Sequence, residues 1–529
     1  MSTPPLRLSG PIGGAHPAVL SRRIHDLLLL GAATLIPLVL GLGIAVALPS
    51  SDYALVLGIA LALPLVFVLV ASAHLERTVL FLAFFLGCID GPIKLLTAGG
   101  LVTSALQDVL IIAVVLGMLM RLIVSKTPVR LPPLTGWVVA FVFVVLIEAF
   151  NPKTAGFLKS IAGFRQQLQW VPFFFFGYVL MRSKSRLRKL FLVLGVIALA
   201  NGIVSTYQTQ ISPAQLAGWG AGYRAKVYGT EHASARKYVS EGVARVRPMG
   251  LGDDSGVGAG FGDIAIAGTL ALLASTRRRR WAIVLLCLGS MVAIATGLGR
   301  LQVVGGVLAV IAYAVLAASA GRRVTRPLVA LLAVLAVALP LGIVFISAVG
   351  EGVFSRYTSI APSKVTTTAT GYKQESLREI PHYLSAAPFG FGLGTAGSAG
   401  GFGGRVTEEL EGHNVTAETQ YNFLVDELGL PGLLVWTGFT LTLILLTLRG
   451  LRNIRDTELQ VYLAAVFAPV VALFLMSFDG PVSASSAAGP YFWFAGGVAA
   501  YWLVGPGLAL ARRDLTRPAL AGANAARAT

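Results

Sequence analysis

The residue types in this chain best suited to a charged substrate are a few arginines and one acidic stretch. Arg165 in GFRQQLQW lies inside an apolar run, and Arg300 in TGLGRLQVV lies at the end of one. An arginine facing lipid is costly, so each is expected to face a bundle interior or a water-filled cavity. There the guanidinium fork suits bidentate bonding to phosphate oxygens; the alternative is snorkelling to headgroups. Arg245, Arg247, Arg356, Lys373 and Arg378 extend this cationic set. Arg378 stands out among them. Leu377, Ile380 and Leu384 recur around it at helical spacing, which predicts a short amphipathic helix over 372–386 at a membrane surface.

The acidic stretch is ETQYNFLVDELGLPG. On a helix, Glu418, Asn422 and Asp426 fall at i, i+4 and i+8 and form one polar stripe. Tyr421, Leu424, Val425 and Leu428 form the apolar one, and Gly429 with Pro431 marks a break. A carboxylate there has the chemistry of a general base, while the pattern alone favours a capped helix with a solvated face. His413 precedes it in EGHNVT, as a lone loop histidine. The glycines of GFGLGTAGSAGGFGG are not followed by GK[ST], so they predict a flexible lid or a close backbone approach and not a nucleotide loop. Asp90, Asp108, Glu148 and Asp263 interrupt apolar runs and would be ion-coupling candidates in a transporter. No HEXXH, paired CXXC or histidine cluster predicts a metal, and no cofactor is expected. Cys88 and Cys287 sit in apolar runs and read as small buried hydrophobes.

These residues must be positioned by membrane helices. Of 529 residues, 55% are hydrophobic and 12% charged, against roughly 25% charged in soluble domains, which excludes a single soluble globule or a disordered chain. Apolar blocks such as 27–48 match the ~20 residues that span a bilayer core. The pattern predicts an all-α, polytopic membrane helix bundle of about fourteen spans, near 27–48, 53–70, 78–96, 101–124, 134–150, 161–181, 190–208, 257–275, 281–296, 301–318, 327–349, 430–448, 461–478 and 489–508. Two long connections, 209–256 and 350–429, separate groups 27–208, 257–349 and 430–508, with tails 1–26 and 509–529.

The net charge of +18 first suggests a polyanion binder. Placed on the spans, however, 26 of the 42 basic residues and only 5 of the 24 acidic ones fall on the side of the two tails. By the positive-inside rule that side is cytoplasmic, and both long loops are outside. The charge therefore reports topology and contact with anionic headgroups, not nucleic-acid binding.

In their order along the chain, GFRQQLQW, RVRPMGLGDDSGVGAG, GLGRLQVVGG, SLREIPHYLSAAPFGFGLGTAG and ETQYNFLVDELGLPGLL resemble the O-antigen ligase and polymerase superfamily, over roughly 150–450. The resemblance implies a GT-C-like, metal-independent glycosyltransferase of the bacterial inner membrane. Its donor would be a polyprenyl diphosphate-linked oligosaccharide used on the outer face, its acceptor a glycan or lipid, and other polysaccharide assembly proteins are possible partners. It also implies that Arg165 and Arg300 hold the diphosphate, with Arg378 or Arg247 assisting. The family's His-Asn pair, counted back from Glu427-Leu428-Gly429, falls on Tyr421-Asn422, while the chain's own His413-Asn414 lies eight residues earlier. His413, Glu418 and Tyr421 are thus the candidate catalytic residues. This departure favours a repeat-unit polymerase over a ligase, and a transporter or lipid-linked glycan flippase is the reading from another class.

Overall fold

The computed structural model describes residues 75–96, 101–124, 131–154, 156–229, 235–240, 243–275, 280–319, 357, 372–397 and 419–512. Helices α1 (Leu75–Cys88), α2 (Asp90–Leu96), α3 (Leu101–Val124), α4 (Thr135–Glu148), α5 (Phe157–Leu168), α6 (Pro172–Leu180) and α7 (Lys184–Gln210) come first. The first long connection then folds as α8 (Pro213–Ala217), α9 (Ala221–Tyr228) and an antiparallel hairpin, β1 (Lys237–Ser240) with β2 (Val243–Val246). Helices α10 (Val257–Ser275), α11 (Arg280–Thr296), α12 (Arg300–Ser319), α13 (Tyr372–Ala386), α14 (Gln420–Gly450), α15 (Thr457–Met476), α16 (Ala488–Trp502) and α17 (Pro506–Arg512) follow. The fold is mostly helical; the hairpin departs from a purely α expectation.

Among the described residues six segments are long and apolar enough to cross a membrane: Leu75–Leu96, Lys184–Gln210, Val257–Ser275, Arg300–Ser319, Gln420–Asn453 and Thr457–Met476. Stripes such as Val304, Val307, Ile311 and Val315 along α12 stay exposed, at the spacing of one helix face. In water so continuous an apolar patch is a liability; in a bilayer it is the lipid-facing side. The expected spans 27–48, 53–70 and 327–349 lie outside the described residues.

One expected span is broken. The 161–181 run forms α5 and α6, separated by Gln169–Val171, with Pro172 opening the second helix. The polar residues of α5 have buried partners, described below, which a straight lipid-facing helix would forfeit. The 78–96 run lies within one apolar segment, Leu75–Leu96, with a single turn residue, Ile89, between α1 and α2; Gly91 lies against the backbone of Leu251–Asp253, where a Cβ would overlap it.

The chain divides into two units, Met1–Thr78 with Ala105–Pro128, and Val79–Ser104 with Val129–Thr529. In the first, α3 buries Leu106, Leu110 and Val114 and exposes Ile112, Leu116 and Ile123. In the second, α7, α10 and α11 pack mutually, α10 also packs on α12 and α15, α4 packs on α14, and α6 on α16. Small residues permit the closest approaches: Gly177 meets the Phe494 carbonyl, and Gly497 the Phe174 carbonyl, across α6 and α16. Lys184 at the head of α7 pairs with Asp456 (2.8 Å) and Glu458 (3.0 Å) at the head of α15. These two helix starts therefore share one end of the bundle.

Candidate functional site

Two polar assemblies form in the second unit, each including a stretch singled out in the sequence. The first centres on Glu427, which is fully buried. Its Oε2 accepts from Gln167 Nε2 (2.8 Å), and its Oε1 accepts from Gln166 Nε2 (3.2 Å) and from the backbone N–H of Gly394 (3.1 Å) and Ala396 (3.3 Å). Gln166 Nε2 also donates to the Ala396 carbonyl. Lys159, about two turns before Gln166 on α5, is buried within electrostatic reach of Glu427. Removal from water lowers the Lys159 ammonium below its usual value, and the Glu427 charge opposes that shift.

Why the glycine-rich segment belongs here follows from sterics. Gly390, Gly392, Gly394 and Gly397 all have φ between 70° and 93°, a region L side chains rarely enter. That alternation lets 390–397 curl between α5 and α14. A Cβ on Gly163 would overlap the Gly394 nitrogen, and a Cβ on Gly429 would overlap the Pro388 carbonyl and the Gly390 nitrogen. Gly429 itself (φ 58°, ψ −156°) kinks α14. Leu430 N–H donates to Pro388 O, and Phe391 N–H donates to Asp426 O. Over its described part, 390–397, the segment is thus a close backbone interlock, the second of the two expectations for it, while 398–404 lie outside the described residues.

Helix α13 covers this interlock and matches the expected 372–386. It packs on α14 through Tyr383, Ala387, Phe391 and Val425. Ser376 Oγ donates to Asn422 Oδ1, and Asn422 Nδ2 donates to Ser376 O (2.7 Å). Asn422 and Asp426 are therefore fully buried, which corrects the expected solvated face: the amphipathic helix folds over it. Both carboxylate oxygens of Asp426 are buried without a hydrogen-bond partner among the described residues.

The second assembly is the loop 247–256. Two buried amides on one face of α7, about two turns apart, clamp it. Asn201 Oδ1 accepts from Leu251 N–H while its Nδ2 donates to Gly87 O, and Gln208 Oε1 accepts from both Met249 and Gly250 N–H. The loop then presents two carboxylates. Asp253 meets Lys94 (3.4 Å), which also pairs with Asp90 (2.6 Å). Asp254 accepts two bonds from Arg236 (3.0 and 2.8 Å) and one from Lys226 (2.9 Å). Burial alone would raise the Asp254 carboxyl, but the Arg236 hydrogen bonds and the two cationic charges outweigh it and hold it below its usual value.

The expected arginines are distributed over these assemblies. Arg165 is half-buried on α5, beside Gln166 and within electrostatic reach of Asp90 and Lys94. Arg247 follows β2, its N–H donating to Arg236 O (2.9 Å). Arg300 opens α12 after a turn in which buried Leu298 takes the strained φ of 50°. Its Nε is buried without a hydrogen-bond partner among the described residues. Gln302, two residues on, lies against Gly256 of the loop. Arg247 lies within the loop, Arg300 opens the helix whose Gln302 lies against Gly256, and Lys94 pairs with Asp253, with Arg165 within electrostatic reach of Lys94. Arg378 is exposed on α13, a different element.

Of the candidate catalytic residues, His413 and Glu418 lie outside the described residues, as does Arg356. Tyr421 is an aromatic packing residue, its ring 4.8 Å from Phe478 and 6.4 Å from Trp436. Sequence reasoning missed Glu427, Gln166, Gln167, Asn201 and Gln208 as organising groups. The signal available was a run of amides inside apolar stretches, RQQ and LANGIVSTYQ. Comparison with protein-family models, curated proteins and solved structures gives no match to this chain.

Proposed function

We propose that this chain is an envelope glycosyltransferase that joins polyprenyl diphosphate-linked oligosaccharide units into a polymer on the outer face of the bacterial inner membrane. One observation carries the reading. Three stretches far apart in sequence, all from the family resemblance, meet in one hydrogen-bonded group: Gln166 and Gln167, Gly394 and Ala396, and Glu427. A fourth and a fifth, RVRPMGLGDDSG and GLGRLQ, meet at Gly256 and Gln302. Such convergence is what a built site needs and a set of unrelated loops does not.

In this reading an acceptor hydroxyl oxygen attacks the anomeric carbon of the donor, and the bond from that carbon to the diphosphate oxygen breaks. The leaving diphosphate takes the bonding pair, and Arg165, Arg247 and Arg300 stabilise its charge, which grows in the transition state. Arg378 assists from α13. The hydroxyl proton passes to a base, His413 or Glu418. The fold would be GT-C-like with about fourteen spans and both termini cytoplasmic.

The test is transfer by the purified protein from a polyprenyl diphosphate-linked oligosaccharide. Arg300→Ala and Arg165→Ala should each lower polymer formation at least ~10-fold with normal expression, since one preorganised donor to developing charge is worth roughly 10²–10³ in rate. Unchanged polymer from both variants overturns the diphosphate clamp. A ladder of product lengths identifies a polymerase, a single transfer a ligase, and donor movement without transfer a flippase.

A further inference from the structure

Where α13 meets α14 lies a group of side chains that the proposed transfer does not use. Asp426 is fully buried on α14, and both of its carboxylate oxygens lack a hydrogen-bond partner among the described residues. Buried polar groups in folded proteins are nearly always bonded, so an orphaned carboxylate calls for a ligand or a water. Its backbone is bonded: Asp426 O accepts from Phe391 N–H (2.7 Å) and from Thr395 Oγ1 (3.3 Å). The residue is therefore held in place while its side chain keeps its acceptor capacity.

Three side chains complete the group. Glu379 on α13 is half-buried and within electrostatic reach of Asp426. Its Oε2 accepts from the Tyr383 hydroxyl (2.7 Å). Tyr383 and Phe391 pack with Val425, the chain neighbour of Asp426, and their rings meet edge to face at 6.3 Å. The charges are wrong for a phosphate, which Asp426, Glu427 and Glu379 would all repel. Nor do three acidic, histidine or cysteine side chains among the described residues group closely enough to hold a metal ion. Carboxylates beside aromatic rings suit a neutral sugar. A carboxylate only accepts, and its two oxygens can take adjacent hydroxyls of a pyranose. The negative face of an aromatic ring takes the C–H face of that sugar.

We propose that Asp426, Glu379, Tyr383 and Phe391 form a subsite for a neutral pyranose of the acceptor glycan. That this sugar belongs to the acceptor rests on the glycosyltransferase reading; the like charges of the subsite leave the donor diphosphate to the arginines. Because Asp426 is buried, the sugar enters when α13 lifts from α14, where the Asn422–Ser376 pair is its polar hold. A bound sugar supplies the hydrogen bonds that Asp426 lacks.

The test uses the full chain in nanodiscs and, as probes, the methyl pyranosides of glucose, galactose, mannose and N-acetylglucosamine. Saturation-transfer-difference NMR reads their binding without turnover. Wild type should give a signal with at least one of them. Asp426→Leu and Glu379→Gln should each cut it about 10-fold, the affinity supplied by one hydrogen bond to a charged group. Asp426→Leu also removes a buried, unpaired carboxylate, so its thermal midpoint should equal or exceed that of wild type. No signal from wild type, or an undiminished signal in both variants, overturns the subsite. So does a lower midpoint in both Asp426→Leu and Asp426→Asn, which marks a structural carboxylate. In transfer to a free oligosaccharide acceptor, Asp426→Asn should raise the acceptor KM about 10-fold and leave the donor KM unchanged. If the variants lose the signal and wild type transfers no sugar, the enzymatic reading fails and the subsite stands. Transfer by wild type with an unchanged acceptor KM in Asp426→Asn is the reverse.

Discussion

Two neighbouring carboxylates on α14 have opposite environments. Glu427 accepts four hydrogen bonds, and Asp426 accepts none among the described residues. Removing the Glu427 carboxylate takes the acceptor from Gln167 Nε2 and from two backbone N–H groups, while Gln166 keeps the Ala396 carbonyl; each buried unsatisfied group costs about 1–3 kcal/mol. Glu427→Ala should therefore destabilise the detergent-solubilised protein by about 3 kcal/mol or more, seen as a fall in the thermal midpoint. Glu427→Gln, which keeps one acceptor oxygen, should lose less. Asp254 supplies a pH signature. Its folded-state value lies below the ordinary 3.8, so its stabilising contribution is complete above about pH 4 and is lost as pH falls through the lower folded value. The stability difference between wild type and Asp254→Asn should hold constant from pH 7 to about pH 5 and shrink at more acid pH. Constancy down to pH 2 would contradict the ion-pair account.

At the scale of elements, the informative features are the places where helices stop being regular. The Gly429 kink coincides with a close backbone contact to Pro388–Gly390, and the α5–α6 break follows directly on Gln166 and Gln167, which bond Glu427. Helix α13 depends on α14 for its position. Asn422 bonds both the hydroxyl and the carbonyl of Ser376, so Asn422→Ala should loosen α13 while the remaining helices keep their packing. Hydrogen exchange should rise selectively over 372–386, with 457–476 unchanged. Uniform exchange across both segments would mean that α13 is held by its apolar side alone.

The whole molecule is read best through its charge. Among the described residues six segments are long and apolar enough to cross a membrane, and the excess of Lys and Arg on alternate connections predicts which side each faces. With Cys88 and Cys287 replaced by alanine, single cysteines introduced at Arg378 and at Ala244 should react with a membrane-impermeant maleimide on spheroplasts. One introduced at Arg188 should react only after permeabilisation. Reaction at Arg188 before permeabilisation would reverse the orientation.

Composition and periodicity alone determine that the chain is a helical membrane protein, and they locate most helices. The spans expected at 257–275, 281–296 and 301–318 appear as Val257–Ser275, Arg280–Thr296 and Arg300–Ser319, because apolar runs bounded by charge or glycine are local signals. The amphipathic helix at 372–386 is equally legible. What only the tertiary structure decides is how polar residues inside those runs are satisfied. The expected polar stripe of Asn422 and Asp426 is buried by a helix some forty residues away in sequence, and Gln166, Gln167, Asn201 and Gln208 hold loops far from them along the chain. Hydrogen-bond partners at such separations leave no periodic trace, whereas the cost of leaving buried polar groups unpaired makes them organise the folded molecule.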